Sequence, residues 1–310
     1  MATRVTVAAI GIPVILVLIL LGGYSFFFLV IVISSVALFE FYELAECRGA
    51  SPLKSLGGLA GIGVVSTFFY PRHFQIIGPA AQQVFSNLRL PSQWQLLMIL
   101  LLLFVLLDLL IELFRGKDFP IFNIGSTISG VLYVSLPLGT LIGVREVFGE
   151  DFLPGRFIAM AGSSSSEMTR ELVYRWGGYT VISIFACIWI CDTAAQFVGL
   201  RLGKHKLFER VSPKKTWEGA LSGFIAAILA ALLTRNLILP FLSAEESLII
   251  GAVVGVFGQL GDLAESLLKR DAGVKDSSNI IPGHGGMLDR FDSLLFVSPI
   301  LFLYFDLVIF

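Results

Sequence analysis

The sequence is poor in charge. Only 15% of its 310 residues are Asp, Glu, Lys or Arg, while 56% are hydrophobic. A soluble domain carries about a quarter charged residues, so this chain has too few to coat a surface facing water. Its three cysteines, Cys47, Cys187 and Cys191, are too few and too badly spaced for a disulfide framework or a zinc site. Cys187 and Cys191 stand four apart in an apolar run and read as small packing residues. No G-x-x-x-x-G-K-[ST] run occurs, which disfavours a P-loop nucleotide site. There is no Gln/Asn-rich or Pro-rich tract and no clear internal repeat. The net charge of −1 says nothing about partners; the placement of the charges says more.

What the chain has is long apolar runs. A run of about 18 or more residues with few charges reads as a transmembrane helix. At about 20 residues per crossing, the sequence predicts about nine spans. Val5–Leu21 and Tyr24–Leu38 form a hairpin across Gly22 and Gly23. Leu56–Tyr70, Trp94–Phe114, Gly125–Val144 and Gly178–Leu200 follow, then Ala220–Leu239, Ser247–Leu268 and Phe291–Phe310. The third and fifth are short or interrupted by Gly and Pro. The first has no Ala-x-Ala site and runs straight into the second, so it reads as a retained helix rather than a signal peptide. The expected fold class is an all-α, polytopic integral membrane bundle with active-site loops on the cytoplasmic side. Residues 1–177 would supply N-terminal helices, and 178–310 would carry the catalytic loops of the same bundle.

Orientation follows from the positive-inside rule. With the N-terminus inside, all eight lysines fall in one set of loops, together with Arg4, Arg48, Arg115, Arg201, Arg210, Arg270 and Arg290. The other set holds only arginines, and its largest loop would run from Arg145 to Trp176, with Ser163–Ser166 marking irregular chain. The expected location is the cell membrane of a bacterial-type cell, multi-pass.

The candidate chemistry falls in two stretches. The first contains Asp192, then six Lys or Arg between Arg201 and Lys215, and closes with Ser212-Pro213-Lys214-Lys215-Thr216-Trp217-Glu218-Gly219. A basic loop can simply hold its side inside or touch anionic headgroups. Yet an acid near a membrane helix end is costly and usually functional, and hydroxyls mixed with ammoniums suit phosphate oxygens. The second stretch runs from Gly258 to Asp292. On a helix, Asp262, Ser266 and Lys269 share one face, and Asp289 and Asp292 share another. Converging carboxylates repel one another unless a cation binds, and oxygen ligands without a His/Cys cluster point to Mg2+ rather than zinc. The turn Gly283-His284-Gly285-Gly286 can bring backbone N–H groups close to phosphate.

Each piece also has an ordinary explanation. Asp289-Arg290 can be a salt bridge at a helix start, His284 a hydrogen-bonded loop histidine, and Lys269-Arg270 a stop-transfer pair. Their density within about 30 residues is what a membrane protein does not need in order to fold. Elsewhere, Asp108 and Glu112 either face the bundle interior or reach the interface. Gly219-x-x-x-Gly223 and Gly251-x-x-x-Gly255 read as close-packing or dimer faces, and Glu40, Glu43 and Glu46 as a solvated inner face.

The stretch from Ser266 to Asp292 resembles the C-terminal motif of the phosphatidate cytidylyltransferases, the CDP-diacylglycerol synthases. That motif is Ser-x-apolar-Lys-Arg, four residues, Lys-Asp, then Pro-x-His-Gly-Gly-apolar-x-Asp-Arg-apolar-Asp, and it is present without departure. Asp192 and Ser212 to Gly219 are also similar to the family; the first 180 residues resemble it only as hydrophobic spans. The resemblance implies a transferase of phospholipid biosynthesis in which CTP and phosphatidate give CDP-diacylglycerol and pyrophosphate. It also implies Mg2+, leaves room for a second cation, and suggests a homodimer in the bilayer; nucleic acid has no place in it. Carried onto this chain, Asp262, Asp289, Asp292 and, more weakly, Asp192 would hold metal. Lys214, Lys215, Lys269, Arg270 and Lys275 would meet phosphates, and Ser212, Thr216 and Ser266 would add hydrogen bonds. His284, Gly285, Gly286 and Arg290 would line the substrate site, with Lys215, Lys269, Arg270, Lys275 and Asp289 nearest the chemistry. Two rivals stand beside this reading. A CTP-dependent lipid kinase would release CDP instead of pyrophosphate. A transporter would place polar residues along a mid-membrane path, whereas here the charges gather at one face.

Overall fold

The computed structural model describes residues 2–76, 90–148, 166–281, 283 and 285–309. Nine helices and one short hairpin make up the described chain. Ala2–Leu21 (α1), Gly23–Cys47 (α2) and Lys54–Ile76 (α3) come first. Gln93–Arg115 (α4) and Pro120–Glu146 (α5) follow. Ser166–Leu202 (α6) leads into the antiparallel strands Lys206–Phe208 (β1) and Ser212–Thr216 (β2). Trp217–Ile238 (α7), Ala244–Asp271 (α8) and Leu288–Ile309 (α9) complete the bundle.

Helices therefore stand at all nine expected positions. Among the described residues, seven are long and apolar enough to cross a membrane. Of α1, only Ala9–Leu21 meets the apolar criterion, as a shorter helix. In α3 the end is diluted by Pro71, Arg72 and His73. The count of nine crossings is thus an expectation, while the multi-pass membrane architecture is established. Its outward face fits that setting: Leu102, Leu106, Leu110 and Leu113 of α4 are all exposed, an apolar stripe that a water-facing surface would not leave bare.

Local chemistry explains where the helices begin. Ser92 and Gln95 form a reciprocal capping box at the start of α4, and Ser243 and Glu246 do the same for α8. Pro120 occupies the first turn of α5, where its missing N–H costs nothing. Thr216 caps α7 by accepting from Gly219 N at 3.2 Å. The sixth helix begins twelve residues before the expected Gly178. Its 37 residues span about 55 Å at 1.5 Å each, well beyond a hydrocarbon core of about 30 Å. Polar residues there broke the apolar run without breaking the helix. Arg145 consequently ends a helix instead of opening a loop. Of the serine run, only Ser166 lies within the described residues.

Small residues bring α6, α7 and α8 together. A Cβ on Gly223 would sit 2.9 Å from the Cys191 carbonyl oxygen, and one on Gly251 would sit 2.6 Å from Ile228 Cα. Both small-residue faces are therefore used within the chain for close packing. Asp108 and Glu112 face the interior. Glu112 accepts from Asn123 Nδ2 at 2.6 Å and from Arg115 at 3.2 Å, tying the ends of α4 and α5 together. Because successive helices reverse direction, the ends of α2, α4, α6 and α8 share one pole with the starts of α5, α7 and α9. An exposed ion pair between Arg48 and Asp271, 3.2 Å apart, marks two of those ends.

Candidate active site

At that pole lies a cavity of about 520 Å3 between α6, α7, α8, α9 and the hairpin. Asp192 enters from α6, Asp262 and Lys269 from α8, and Asp289, Arg290 and Asp292 from α9. Strand β2 adds Lys214, Lys215 and Thr216. All four aspartates singled out in the sequence thus meet one space, from three helices.

Two backbone features put them there. A π-helical turn at Val254–Gly258 interrupts α8, inserting an extra residue and re-aiming the side chains that follow. Gln259, which sequence reasoning passed over, then lines the cavity. Its Nε2 donates to the Gly255 and Ala220 carbonyls at 2.6 and 3.0 Å, joining α8 to α7. Two residues on, Gly261 allows α8 to touch α9. A Cβ at Gly261 would lie 2.6 Å from the Asp292 carbonyl oxygen. Asp262 and Asp292 are neighbours because residue 261 has no side chain.

The electrostatics divide the acids into two groups. Asp192, Asp262 and Asp292 stand near enough to repel one another. Lys215 Nζ lies 2.8 Å from Asp262 Oδ2 and offsets one of the three charges. Ser266 Oγ donates to Asp262 Oδ1 at 3.2 Å, so this hydroxyl steadies the acid.

Asp289 belongs to a second, closed group. Its Oδ1 pairs with Lys269, and its Oδ2 accepts from Ser277 N at 2.9 Å, Ser277 Oγ at 2.9 Å and Gly286 N at 2.8 Å. Lys269 also pairs with Glu265 at 2.6 Å, and Glu265 is 0% exposed. Glu265 escaped the sequence reading, although its place four residues before Lys269 on one helix is the signal for such a pair.

The remaining expectations separate in the same way. Thr216 reaches the cavity wall, but its oxygen also caps α7. Ser212, Ser266, Arg270, Lys275, Gly285 and Gly286 do not line the cavity. Arg270 donates to the backbone carbonyls of Val211 and Val274 at 3.4 and 3.0 Å, fastening the hairpin to the end of α8. The Gly286 N–H is committed to Asp289 rather than offered to a phosphate. His284 lies outside the described residues.

Glu40 overturns an expectation. Glu43 and Glu46 are exposed as expected, but Glu40 is 1% exposed. It reaches from α2 to Ser277, Ser278, Met287 and Leu288. The two acids that follow it, Glu43 and Glu46, are exposed, and as acids of the same helix nothing in their residue type distinguishes Glu40 from them.

The donor set suits a hard cation. Among the described residues, no three His, Cys, Asp or Glu side chains are gathered closely enough to enclose a metal by themselves. Mg2+ does not require such a cage. It is commonly held by one or two carboxylates plus substrate phosphates and water. Three mutually repelling carboxylates on an open cavity, one already drawing in an ammonium, fit that mode. Asp289 fits it less well, since one of its oxygens already accepts from three donors and the other pairs with Lys269.

Comparison with known proteins agrees with this architecture. The model of the cytidylyltransferase family matches residues 2–308. A phosphatidate cytidylyltransferase of Bacillus subtilis (strain 168) is 33% identical over 315 aligned residues, covering 100% of this chain and 98% of that protein. One of Synechocystis sp. (strain ATCC 27184 / PCC 6803 / Kazusa) is 30% identical over 99% of this chain and 97% of its own length. A Staphylococcus epidermidis protein of the same name reaches 46% identity over 121 residues, 39% of this chain and 46% of that protein. The helices, the charged cavity and these full-length similarities lead to one conclusion: the chain belongs to the cytidylyltransferase family and is a membrane-embedded nucleotidyltransferase.

Proposed function

We propose that the protein transfers the cytidylyl group of CTP to phosphatidate, giving CDP-diacylglycerol and pyrophosphate, at the cytoplasmic face of the membrane. The observation that carries this reading is the cavity itself. It opens at one pole and combines Asp192, Asp262 and Asp292 with Lys214, Lys215 and Arg290. Family membership and the names of the full-length relatives support the choice of substrates.

The chemistry asks for what this cavity contains. A phosphate monoester oxygen of phosphatidate attacks the α-phosphorus of CTP. The bond from that phosphorus to the oxygen bridging to the β-phosphate breaks, and pyrophosphate leaves with the electron pair. The attacking monoester is largely ionised near neutral pH, its second pKa being about 6, so it needs little from a general base. Two anions must instead be brought together. Lys214, Lys215 and Arg290 attract and orient phosphates as fixed cations. Lys269, held by Glu265 and Asp289, presents a cation at a defined place on the wall. Asp192, Asp262 and Asp292 would hold Mg2+. When bound, the ion supplies charge neutralisation on the phosphates and a template for in-line displacement. The site's position at the helix ends lets CTP arrive from water while the lipid headgroup stays at the interface.

The test is turnover of CTP with phosphatidate by the purified protein in detergent with Mg2+, following both products. Pyrophosphate and a cytidylylated lipid are expected in equal amounts. Release of CDP with a phosphorylated lipid would assign the protein to the kinases. Absence of any cytidylyl transfer with a range of acyl chains would refute the function.

A further inference from the structure

We propose that Glu40 is a positioning residue for the transfer reaction: from α2 it fixes both ends of the connection between α8 and α9, so that Asp289 can hold Lys269 at the cavity. This deepens the proposed function and rests on it. Glu40 Oε2 accepts from Ser277 Oγ at 2.9 Å and from Leu288 N at 2.7 Å. Oε1 accepts from Ser278 Oγ at 2.5 Å and from Met287 N at 2.9 Å. Ser277 and Ser278 belong to the chain leaving α8, whereas Met287 and Leu288 begin α9. One carboxylate therefore grips both stems of the connection, two donors to each oxygen.

The arrangement is specific to a carboxylate. Burying an unpaired charge is strongly unfavourable, and here four charge-assisted hydrogen bonds offset that cost. Simple packing of α2 against α9 would be served as well by an apolar side chain of similar volume. What an apolar side chain cannot do is terminate four donors at once.

From Glu40 the contact passes directly to the cavity wall. Ser277 Oγ lies 2.9 Å from both Glu40 Oε2 and Asp289 Oδ2, so one hydroxyl proton is shared between two acceptors. Gly286 sits between them. A Cβ there would lie 2.0 Å from Ser277 Oγ and 2.5 Å from Glu40 Oε2. Asp289 then holds Lys269, which lines the cavity. Glu40 does not line the cavity, so it acts through these partners and not on the substrates.

The experiment uses the full-length protein in detergent and the variant Glu40→Gln, which keeps the size but turns two accepting positions into an NH2 facing two donors. Amide hydrogen exchange of Met287 and Leu288, whose N–H groups donate to Glu40, is expected to accelerate at least about tenfold, as loss of a hydrogen bond to a charged group requires, with exchange in α4 and α7 unchanged. The kcat is expected to fall about 10–100-fold, the scale of a small misplacement at a reacting centre, with KM for CTP within about threefold. Ser278→Ala removes one of the four donors and is expected to lower kcat about threefold. Ser277→Ala added to Glu40→Gln should cost little more than Glu40→Gln alone, because the two act in one chain of contacts. Wild-type kcat in Glu40→Gln, or activity lost only in step with the folded fraction, overturns the inference. If Glu40→Gln does not fold, Ser278→Ala and Ser277→Ala as single variants carry the test, each expected to lower kcat about threefold, and wild-type kcat in both overturns it. If the wild type shows no cytidylyl transfer, the proposed function fails separately, and exchange at Met287 and Leu288 alone decides whether Glu40 grips the connection.

Discussion

The two poles of the bundle both bury charge, but they treat it in opposite ways. At the pole away from the cavity, Arg145 is 0% exposed. Its guanidinium donates to the carbonyls of Ile19, Tyr174 and Leu20 at 3.0, 3.1 and 3.4 Å and lies 4.2 Å from the centre of the Tyr174 ring. Beside it, Glu146 accepts from Gly23 N at 3.1 Å and Tyr174 Oη at 3.3 Å, and pairs with Arg72 at 3.4 Å. Arg145, Glu146 and Arg72 are thus each answered by groups of the protein itself. At the cavity pole, Asp192, Asp262 and Asp292 repel one another around open space, with Lys215 beside one of them. Charge that is answered internally stabilises a junction between helices. Charge left unanswered around a cavity is available to a ligand. The distinction also runs within the cavity pole, where Glu40 and Asp289 form a closed network behind the open one.

The strongest way to break this comparison is to neutralise the open group. Asp262→Asn and Asp292→Asn are each expected to lower nucleotidyl transfer by about 10²–10³, the size seen when one principal electrostatic group is removed. Their thermal midpoints should hold or rise, because like charges are being removed. Single-turnover assays beside thermal unfolding in detergent check both halves. A variant that loses stability and keeps activity would place Asp262 or Asp292 in the closed class.

The reverse is expected at the other pole. Arg145→Met leaves three carbonyls without their donor, a loss of about 3 kcal/mol for buried polar groups left unpaired. The melting midpoint should drop by roughly 5 °C or more, while activity per folded molecule stays within about twofold of wild type. Activity falling further than stability would mean that the far pole reaches the chemistry.

Gly286→Ala probes the closed network behind the cavity. The added methyl must displace Ser277 or Glu40. The expected result is a drop of about tenfold in kcat, equivalent to about 1.4 kcal/mol, with KM for CTP nearly unchanged. An unaltered kcat would show that the network tolerates rearrangement.

The same contrast explains what could be read in the sequence. Lipid demands long apolar runs, so the helices were legible even where polar residues blurred their ends. The helix starting at Ser166 was the exception, since it continues past the apolar run on residues such as Glu171 and Arg175, which pair at 2.7 Å on its exposed face. Asp262, Asp289 and Asp292 were legible because they crowd into one short stretch, and Asp192 because it is an acid in an apolar helix. The division of labour among them was not. It depends on Gly261, on the π-helical turn in α8 and on Ser277, whose effects appear only when helices meet. Glu40 was illegible for the plainest reason, since its partners lie 237 or more residues away.

The smallest expected effect lies at the cavity rim and sharpens the open class into two kinds. Lys214 lines the cavity yet is exposed, whereas Lys215 is partly buried beside Asp262. A solvated ammonium attracts phosphate through a high-dielectric medium, where a single contact contributes up to about 1 kcal/mol. Lys214→Gln should therefore raise KM for CTP by about threefold, leave kcat nearly unchanged, and lose its effect at high salt, because exposed charges are screened within about 10 Å at 0.1 M. Lys215→Gln should act mainly on kcat and resist salt, since its charge is bound to the acid group. Steady-state kinetics of both variants at two salt concentrations separate these patterns. If the two lysines respond alike, the cavity is a uniform basic funnel, and the distinction between its rim and its floor is wrong.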